Sequence, residues 1–248
     1  MHAVLARVIA LTQLASSSSW ASLVRPCRLL HEVAVLPVAR LHFDTRHHPD
    51  DVREAHRRFT SPHPRYRIFG HKQLGVALID LRRLAPPASY PPQAAACYVK
   101  RARRRGYRLA PIERNDQIDA IHAINTSLAS RQGRPMDARY QDRQSHFTAL
   151  SHYRYFGMFD RHGKLVAYCN LGRYGNFSVL AQLLGYRNND GVMHLMIAEV
   201  VALLLREAQS GDGPDYLMYD TFFGAQPGLR QFKTMLGFSP YRARYTLA

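Results

Sequence analysis

Hydrophobic and polar positions are most regular in the C-terminal part of the chain. Tyr153 to Phe159 alternates as a strand does, Asp160-Arg161-His162-Gly163 reads as a turn, and Leu165 to Leu171 as the returning strand of an antiparallel hairpin. Phe177 to Leu184 is a third strand. Asp190-Gly191 then opens a long helix, Val192 to Glu207, with the aspartate as its expected cap. Apolar residues cover most of that helix's circumference, so it is expected to be largely buried. Gly211-Asp212-Gly213-Pro214 ends it, and Tyr216 to Tyr219 is a short strand. Pro227 to Met235 is a second helix closed by Gly237, and Phe238 to Leu247 a last strand. The predicted order is β-β-β-α-β-α-β.

The pattern upstream is weaker. Residues 1–60 show little sustained periodicity apart from the basic stretch Arg53 to Arg58. Tyr66 to Phe69 and Leu74 to Leu81 look like strands flanking a Gly-His-Lys turn at 70–72, and Pro86, Pro87, Pro91 and Pro92 mark a loop or linker. Asn115 or Asp116 can cap a helix with Ile118, Ile121, Ile124 and Leu128 on one face. That helix leads through Asn125 into a polar loop carrying Arg131, Gln132 and Arg134. Such a loop lines a substrate site or simply connects two elements.

Charge changes this picture. The chain of 248 residues has a formal net charge of +16 and a pI near 10.3. An excess of that size favours a polyanionic partner, or reflects a genome that substitutes Arg for Lys. Lys100, Arg101, Arg103, Arg104 and Arg105 fall within six residues, with Arg108 close behind and Tyr98 and Tyr107 beside them. The cluster is a candidate nucleic-acid-binding patch or a solvated helix end ahead of Gly106. Cys27, Cys97 and Cys169 form no pair motif, which argues for a reducing compartment and against a disulfide frame or structural zinc. No metal site is expected from the scattered histidines. No run of eighteen apolar residues is present. Residues 1–31 lack acidic side chains and resemble a weak targeting segment or a basic arm; the arm is preferred, and a cytoplasmic protein is expected.

The closing segment is the most specific. Gly228 to Pro240 ends in Leu236-Gly237-Phe238 before the last strand, and the predicted element order resembles the GNAT acyltransferase fold. Tyr219-Asp220-Thr221-Phe222-Phe223-Gly224, with Gly228-Leu229 and Phe232-Lys233, also looks like the end of Fem-type aminoacyl-tRNA-dependent transferases, which share that fold. The resemblance implies an α/β (α+β) architecture: a GNAT-like mixed, largely antiparallel twisted sheet with helices on both faces, plus a basic N-terminal extension. The change of pattern and the prolines at 86–92 divide the chain into an extension at 1–60, a strand-rich segment with a Pro-rich linker at 61–92, and a transferase domain at 93–248.

CoA-using members carry a Gln/Arg-x-x-Gly-x-Gly/Ala loop whose backbone amides hold the pyrophosphate at the start of the central helix. The corresponding Arg187 to His194 has one glycine, and Asp190 would repel a pyrophosphate. The expected reaction is therefore transfer of an aminoacyl group from aminoacyl-tRNA to a small-molecule or peptide amine, with no cofactor. Acetyl-CoA-dependent N-acetyl transfer is the alternative. A non-catalytic nucleic-acid-binding protein on the same scaffold is the rival from another class.

The resemblance gives Lys233 the role of stabilising the developing oxyanion; helical spacing, about 100° around from Phe232, lets it point to the cleft rim. Asp220 can take the amine proton, bind the acceptor's ammonium or cap its own turn, with Tyr219 beside it. His194, in the first turn of the central helix, reaches the site or packs in the core. Asn125, Arg131, Gln132, Arg134, Asn188 and Asn189 are the candidate substrate-binding residues. Glu199, a polar interruption of the central helix, requires a partner, most simply an arginine.

Overall fold

The computed structural model describes residues 35–46, 48–63, 67, 70–84, 90–131 and 134–248. Residues 1–34, Tyr66, Ile68 and Phe69, Pro86 and Pro87, and Gln132 lie outside it, as does the side chain of Arg134. The expectations placed on them, including the strand over 66–69, lie outside the described residues.

Val38–Ala248 forms one compact unit built on an eight-stranded sheet. The strands are β1 (Val38–Phe43), β2 (Leu74–Asp80), β3 (Arg108–Pro111), β6 (Tyr153–Phe159), β7 (Leu165–Arg173), β8 (Phe177–Gly185), β9 (Tyr216–Thr221) and β10 (Ser239–Leu247). A separate two-residue pair, β4 (Ser130–Arg131) with β5 (Arg134–Pro135), forms in the polar loop. The sheet order is β1-β10-β2-β9-β8-β7-β6-β3. Only β1 with β10 and β8 with β9 pair in parallel; the other neighbours are antiparallel.

The helices are α1 (Pro49–Thr60), α2 (Gln93–Arg104), α3 (Ile118–Thr126), α4 (Ala138–Gln141), α5 (Val192–Gln209) and α6 (Pro227–Met235). α5 is the crossover that a parallel β8–β9 pair requires. Val192, Leu195, Met196, Ile197, Val200, Val201 and Leu204 bury it, and with α2 it packs on one face of the sheet. On the opposite face α1 packs through Val52, Ala55 and Phe59, and α3 through Ile121 and Ile124. β2 is buried on both faces: Ala77 and Ile79 join the α5 side, Val76 and Leu78 the α1 side.

β1 and α1 are among the elements that escaped the sequence pattern, along with β3, β4, β5 and α4. β1 does alternate, with Ala39, Leu41 and Phe43 inward, but Arg40 and His42 interrupt a stretch of only six residues. α1 has just three buried positions among twelve, one of them an alanine, so its stripe is faint. β2, from the segment expected to be strand-rich, lies between β10 and β9 near the middle of the sheet. Two expected caps are used differently. Asn115 does not cap α3; its amide donates to the Phe147 carbonyl and its oxygen accepts from the Phe147 amide. The α5 cap is Gly191 in the left-handed conformation, φ 84°, and Asp190 binds elsewhere.

Candidate active site

The parallel pair β8–β9 is short: Phe177 to Val179 faces Tyr216 to Met218. β9 continues through Tyr219, Asp220 and Thr221, and Asp220 sits in the left-handed region at φ 51°. That conformation in a non-glycine residue is disfavoured by about 1–3 kcal/mol and persists only where neighbours enforce it. Lys233, on α6, supplies the enforcement. Its Nζ donates to the carbonyls of both residues flanking Asp220, Tyr219 and Thr221, at 2.7 Å each, and lies 4.5 Å from the centre of the Tyr219 ring. Lys233 is 1% exposed, so it is a buried clamp and not the cleft-rim residue that helical spacing suggested. Burial lowers its pKa to about 8, with Lys72 adding to the shift and Asp220 opposing it.

The Asp220 carboxylate accepts from Lys72 at Oδ1. Burial raises the Asp220 pKa, and Lys72, Lys233 and the Thr221 amide outweigh it, holding the carboxyl below its ordinary range. Lys72 leaves the turn before β2, and its own carbonyl accepts from the Tyr245 hydroxyl at 2.5 Å. His71, Lys72, Asp220, Thr221 and Lys233 line a cavity of about 380 Å³.

The start of α5 is covered. Tyr107 donates to Asp190 Oδ2 at 2.7 Å and Arg105 pairs with Oδ1 of the same carboxylate. Arg101 donates to the Asn189 carbonyl at 2.9 Å, and the Asn188 side chain accepts from the Asp190 amide at 3.2 Å. Gly191 lies so close to α2 that a Cβ there would stand 2.3 Å from the Tyr98 carbonyl oxygen. His194 stacks on Tyr98 at 4.4 Å and meets the edge of Phe232 at 4.7 Å.

No family model and no curated protein matches the chain. Among solved structures, FemX aligns with a TM-score of 0.51 at 11% identity, over 68% of this chain and 60% of that one. A DUF2156 C-terminal domain from Agrobacterium fabrum aligns at 0.46 and 17% identity, over 66% and 57%. A GCN5-related N-acetyltransferase from Kribbella flavida aligns at 0.37 and 14%, over 67% and 53%. The chain thus spans 53–60% of the length of these structures. The FemX alignment, taken with the strand and helix order around the parallel β8–β9 pair, decides the architecture.

The chain has the GNAT fold.

On that GNAT scaffold the remaining candidates separate. Tyr219, Asp220 and Lys233 meet at the end of β9; His194 packs between Tyr98 and Phe232 in the covered region at the start of α5. Asn125 is buried and accepts from the Tyr168 hydroxyl at 2.7 Å. Arg131 ties the carbonyls of Gly185 and Ile124 together at 2.9 Å each, a clamp between β8 and α3. Asn188 and Asn189 hold the turn before α5. In the basic cluster Arg103 pairs with Glu199 at 2.8 Å, which supplies that carboxylate's expected partner, and Arg101 and Arg105 hold the α5 start. Lys100, Arg104 and Arg108 are exposed.

The sequence pattern assigns no role to His71 or Lys72. Its one signal was the Gly-His-Lys turn, and nothing local ties Lys72 to a carboxylate 148 residues away.

Proposed function

We propose that this chain is an acyltransferase that moves an aminoacyl group from aminoacyl-tRNA to an amine acceptor. The observation that carries the reading is the covered start of α5. In CoA-using GNAT enzymes that helix end presents open amides to a pyrophosphate. Here a carboxylate, Asp190, occupies the position and is itself neutralised by Arg105 and Tyr107. A donor held through backbone phosphates along an exposed basic surface is consistent with this arrangement and with the net charge of +16.

The chemistry needs an oriented amine and a stabiliser for the oxyanion. The cavity supplies Asp220 as an anchor for the acceptor's ammonium. The cationic pair Lys72 and Lys233 provides the positive field in which the tetrahedral oxyanion forms. Lys233 acts chiefly by holding the two carbonyls that set the Asp220 backbone.

Fluorescence titration with charged tRNA and with acetyl-CoA, at about 50 and about 200 mM salt, tests the reading. We expect tRNA affinity to fall steeply with salt. Replacing Lys100, Arg104 and Arg108 together by Ala should lower the log–log slope by roughly 3 with little change in melting temperature. Tight acetyl-CoA binding without tRNA binding would replace this reading by N-acetyl transfer. Binding of tRNA with no aminoacyl transfer to any amine would leave a nucleic-acid-binding protein.

A further inference from the structure

A second cavity, of about 220 Å³, lies between α3, α4 and strands β7 and β8. It is smaller than the roughly 300–1,000 Å³ of pockets that enclose drug-sized ligands, so it suits one small group. The transfer chemistry above does not use it.

Arg114, which lines this cavity, is held in place before any ligand arrives. Its guanidinium carbon lies 4.0 Å from the centre of the Tyr155 ring and 4.9 Å from that of Phe147. Its Nη2 donates to the Thr148 carbonyl at 2.6 Å. Among the described residues no carboxylate pairs with it, and its Nε and Nη1 have no partner and stay open to solvent. Of the chain's 18 acidic residues, Glu32 alone lies outside the described ones. The other arginine at the cavity, Arg139, pairs with Asp137 at 3.2 Å. No acidic side chain is among the described residues that line the cavity.

The neutral groups there also present donors. The Asn125 oxygen accepts from the Tyr168 hydroxyl at 2.7 Å, which leaves its Nδ2 to donate. The Tyr140 hydroxyl accepts from Gln182 Nε2 at 3.2 Å, which leaves its own proton to donate. An unpaired guanidinium fork beside neutral donors matches a carboxylate in charge and in planar geometry. A phosphate dianion would bring two charges to one unpaired cation. Ile121, Phe147 and Tyr168 give the cavity an apolar wall for the body that bears the carboxylate.

The cavity lies beside the site at the end of β9. The Asp220 carboxylate meets Lys72, whose Nζ is 5.8 Å from the Phe59 ring on α1, so it is on the sheet face that α1 and α3 cover. Gln182 on β8 and Asp220 on β9 each follow closely on Val179 and Met218, the last paired residues of those strands. We propose that the cavity binds a carboxylate through Arg114, and that the amine acceptor carries it: an amino acid, or a peptide with a free C-terminus. The assignment to the acceptor rests on the aminoacyl-transfer reading; the carboxylate site does not.

Nitrogen-15 NMR of the arginine Nε–H groups in the full chain tests the site, with benzoate as the probe. The Arg114 resonance should shift saturably with benzoate and stay unmoved by benzamide, its uncharged counterpart. Arg114→Gln should weaken benzoate binding about 10- to 100-fold. Arg114→Lys should restore it only in part, because an ammonium lacks the planar fork. If Arg114→Gln does not fold, Tyr140→Phe removes only a hydroxyl and should still weaken benzoate about fivefold. A resonance indifferent to benzoate, equal binding of benzamide, or tighter binding of phenyl phosphate would overturn the carboxylate site.

Transfer from charged tRNA to di-, tri- and tetrapeptides ending in Phe, each compared with its C-terminal amide, tests the acceptor. At the favoured length the free acid should have a KM about tenfold or more below that of the amide, and Arg114→Gln should abolish this preference. Equal KM values for acid and amide at every length would overturn the assignment to the acceptor. A parent chain that binds benzoate as expected but transfers nothing overturns the aminoacyl reading, and the benzoate titration then stands as the test of the site.

Discussion

A lysine that is 1% exposed persists in a fold only where its nitrogen finds acceptors, and Lys233 finds two. Those acceptors flank Asp220, whose φ of 51° needs support from both sides. Lys233→Ala should therefore act on stability as well as on rate. Loss of the buried side chain and of two hydrogen bonds should cost about 2–4 kcal/mol in denaturant unfolding. Aminoacyl transfer should fall on the order of 100-fold, because Asp220 is no longer held in place. The pH dependence follows from the lowered pKa. Between pH 8 and 10.5 the native chain has released a proton that the unfolded chain keeps, so the Lys233 contribution to stability rises with pH across that window. Below about pH 8 the penalty for burying the ammonium is present in full. Relative to Lys233→Ala, the parent should gain stability between pH 7.5 and 9.5; an unchanged difference would show that the ammonium titrates as in water.

At the scale of elements, the contact between α2 and the start of α5 organises the region beside the site. Gly191 permits it in two ways. Its φ of 84° turns the chain into the helix, and its missing Cβ leaves room for the Tyr98 carbonyl. Gly191→Ala should lower stability by about 2 kcal/mol or more, since an L side chain there is strained and meets backbone that cannot rotate away. Loss of the ring-current signature of the Tyr98–His194 stack, followed by NMR, would report the same displacement locally. An Ala variant with parental stability and an intact stack would mean that α2 yields at no cost. The sequence placed α5 correctly because nine of its residues are buried and apolar at helical spacing. It mis-assigned the cap because Asp190 has the right residue type at the right position. The competing partners, Tyr107 and Arg105, arrive from a distant element and bind the carboxylate more strongly than a single backbone amide does.

The whole molecule depends on a strand from its N-terminal half. β2 is buried on both faces and hydrogen-bonds to β10 on one side and β9 on the other. It also delivers Lys72 and His71 to the cavity. A chain beginning at residue 93 would lack that strand, leaving the edges of β9 and β10 unpaired and both faces of the core open. We expect such a truncated chain to show no cooperative unfolding transition and to bind hydrophobic dyes, whereas the full chain should do neither. A cooperative transition in the truncated chain would establish 93–248 as an independent domain.

Much of the C-terminal architecture was legible in sequence because its signals are local. Alternation marked β6, the turn after it marked β7 as the returning strand, Phe177 to Leu184 read as a third strand, the long apolar helix opening at Val192 marked α5, and Leu236-Gly237-Phe238 marked the turn into β10. Residues Tyr219, Asp220 and Lys233 were legible through resemblance to a closing motif. Tertiary structure alone decided what those residues do. The burial of Lys233, the left-handed backbone of Asp220 and its pairing with Lys72 depend on strands brought together across the sheet. The same holds for the division of the basic cluster, where Arg103 and Arg105 find carboxylates and Lys100, Arg104 and Arg108 face solvent. Periodicity reports which side of an element is apolar; it carries no information about which distant polar group will satisfy a buried charge, because that is settled by the strand order.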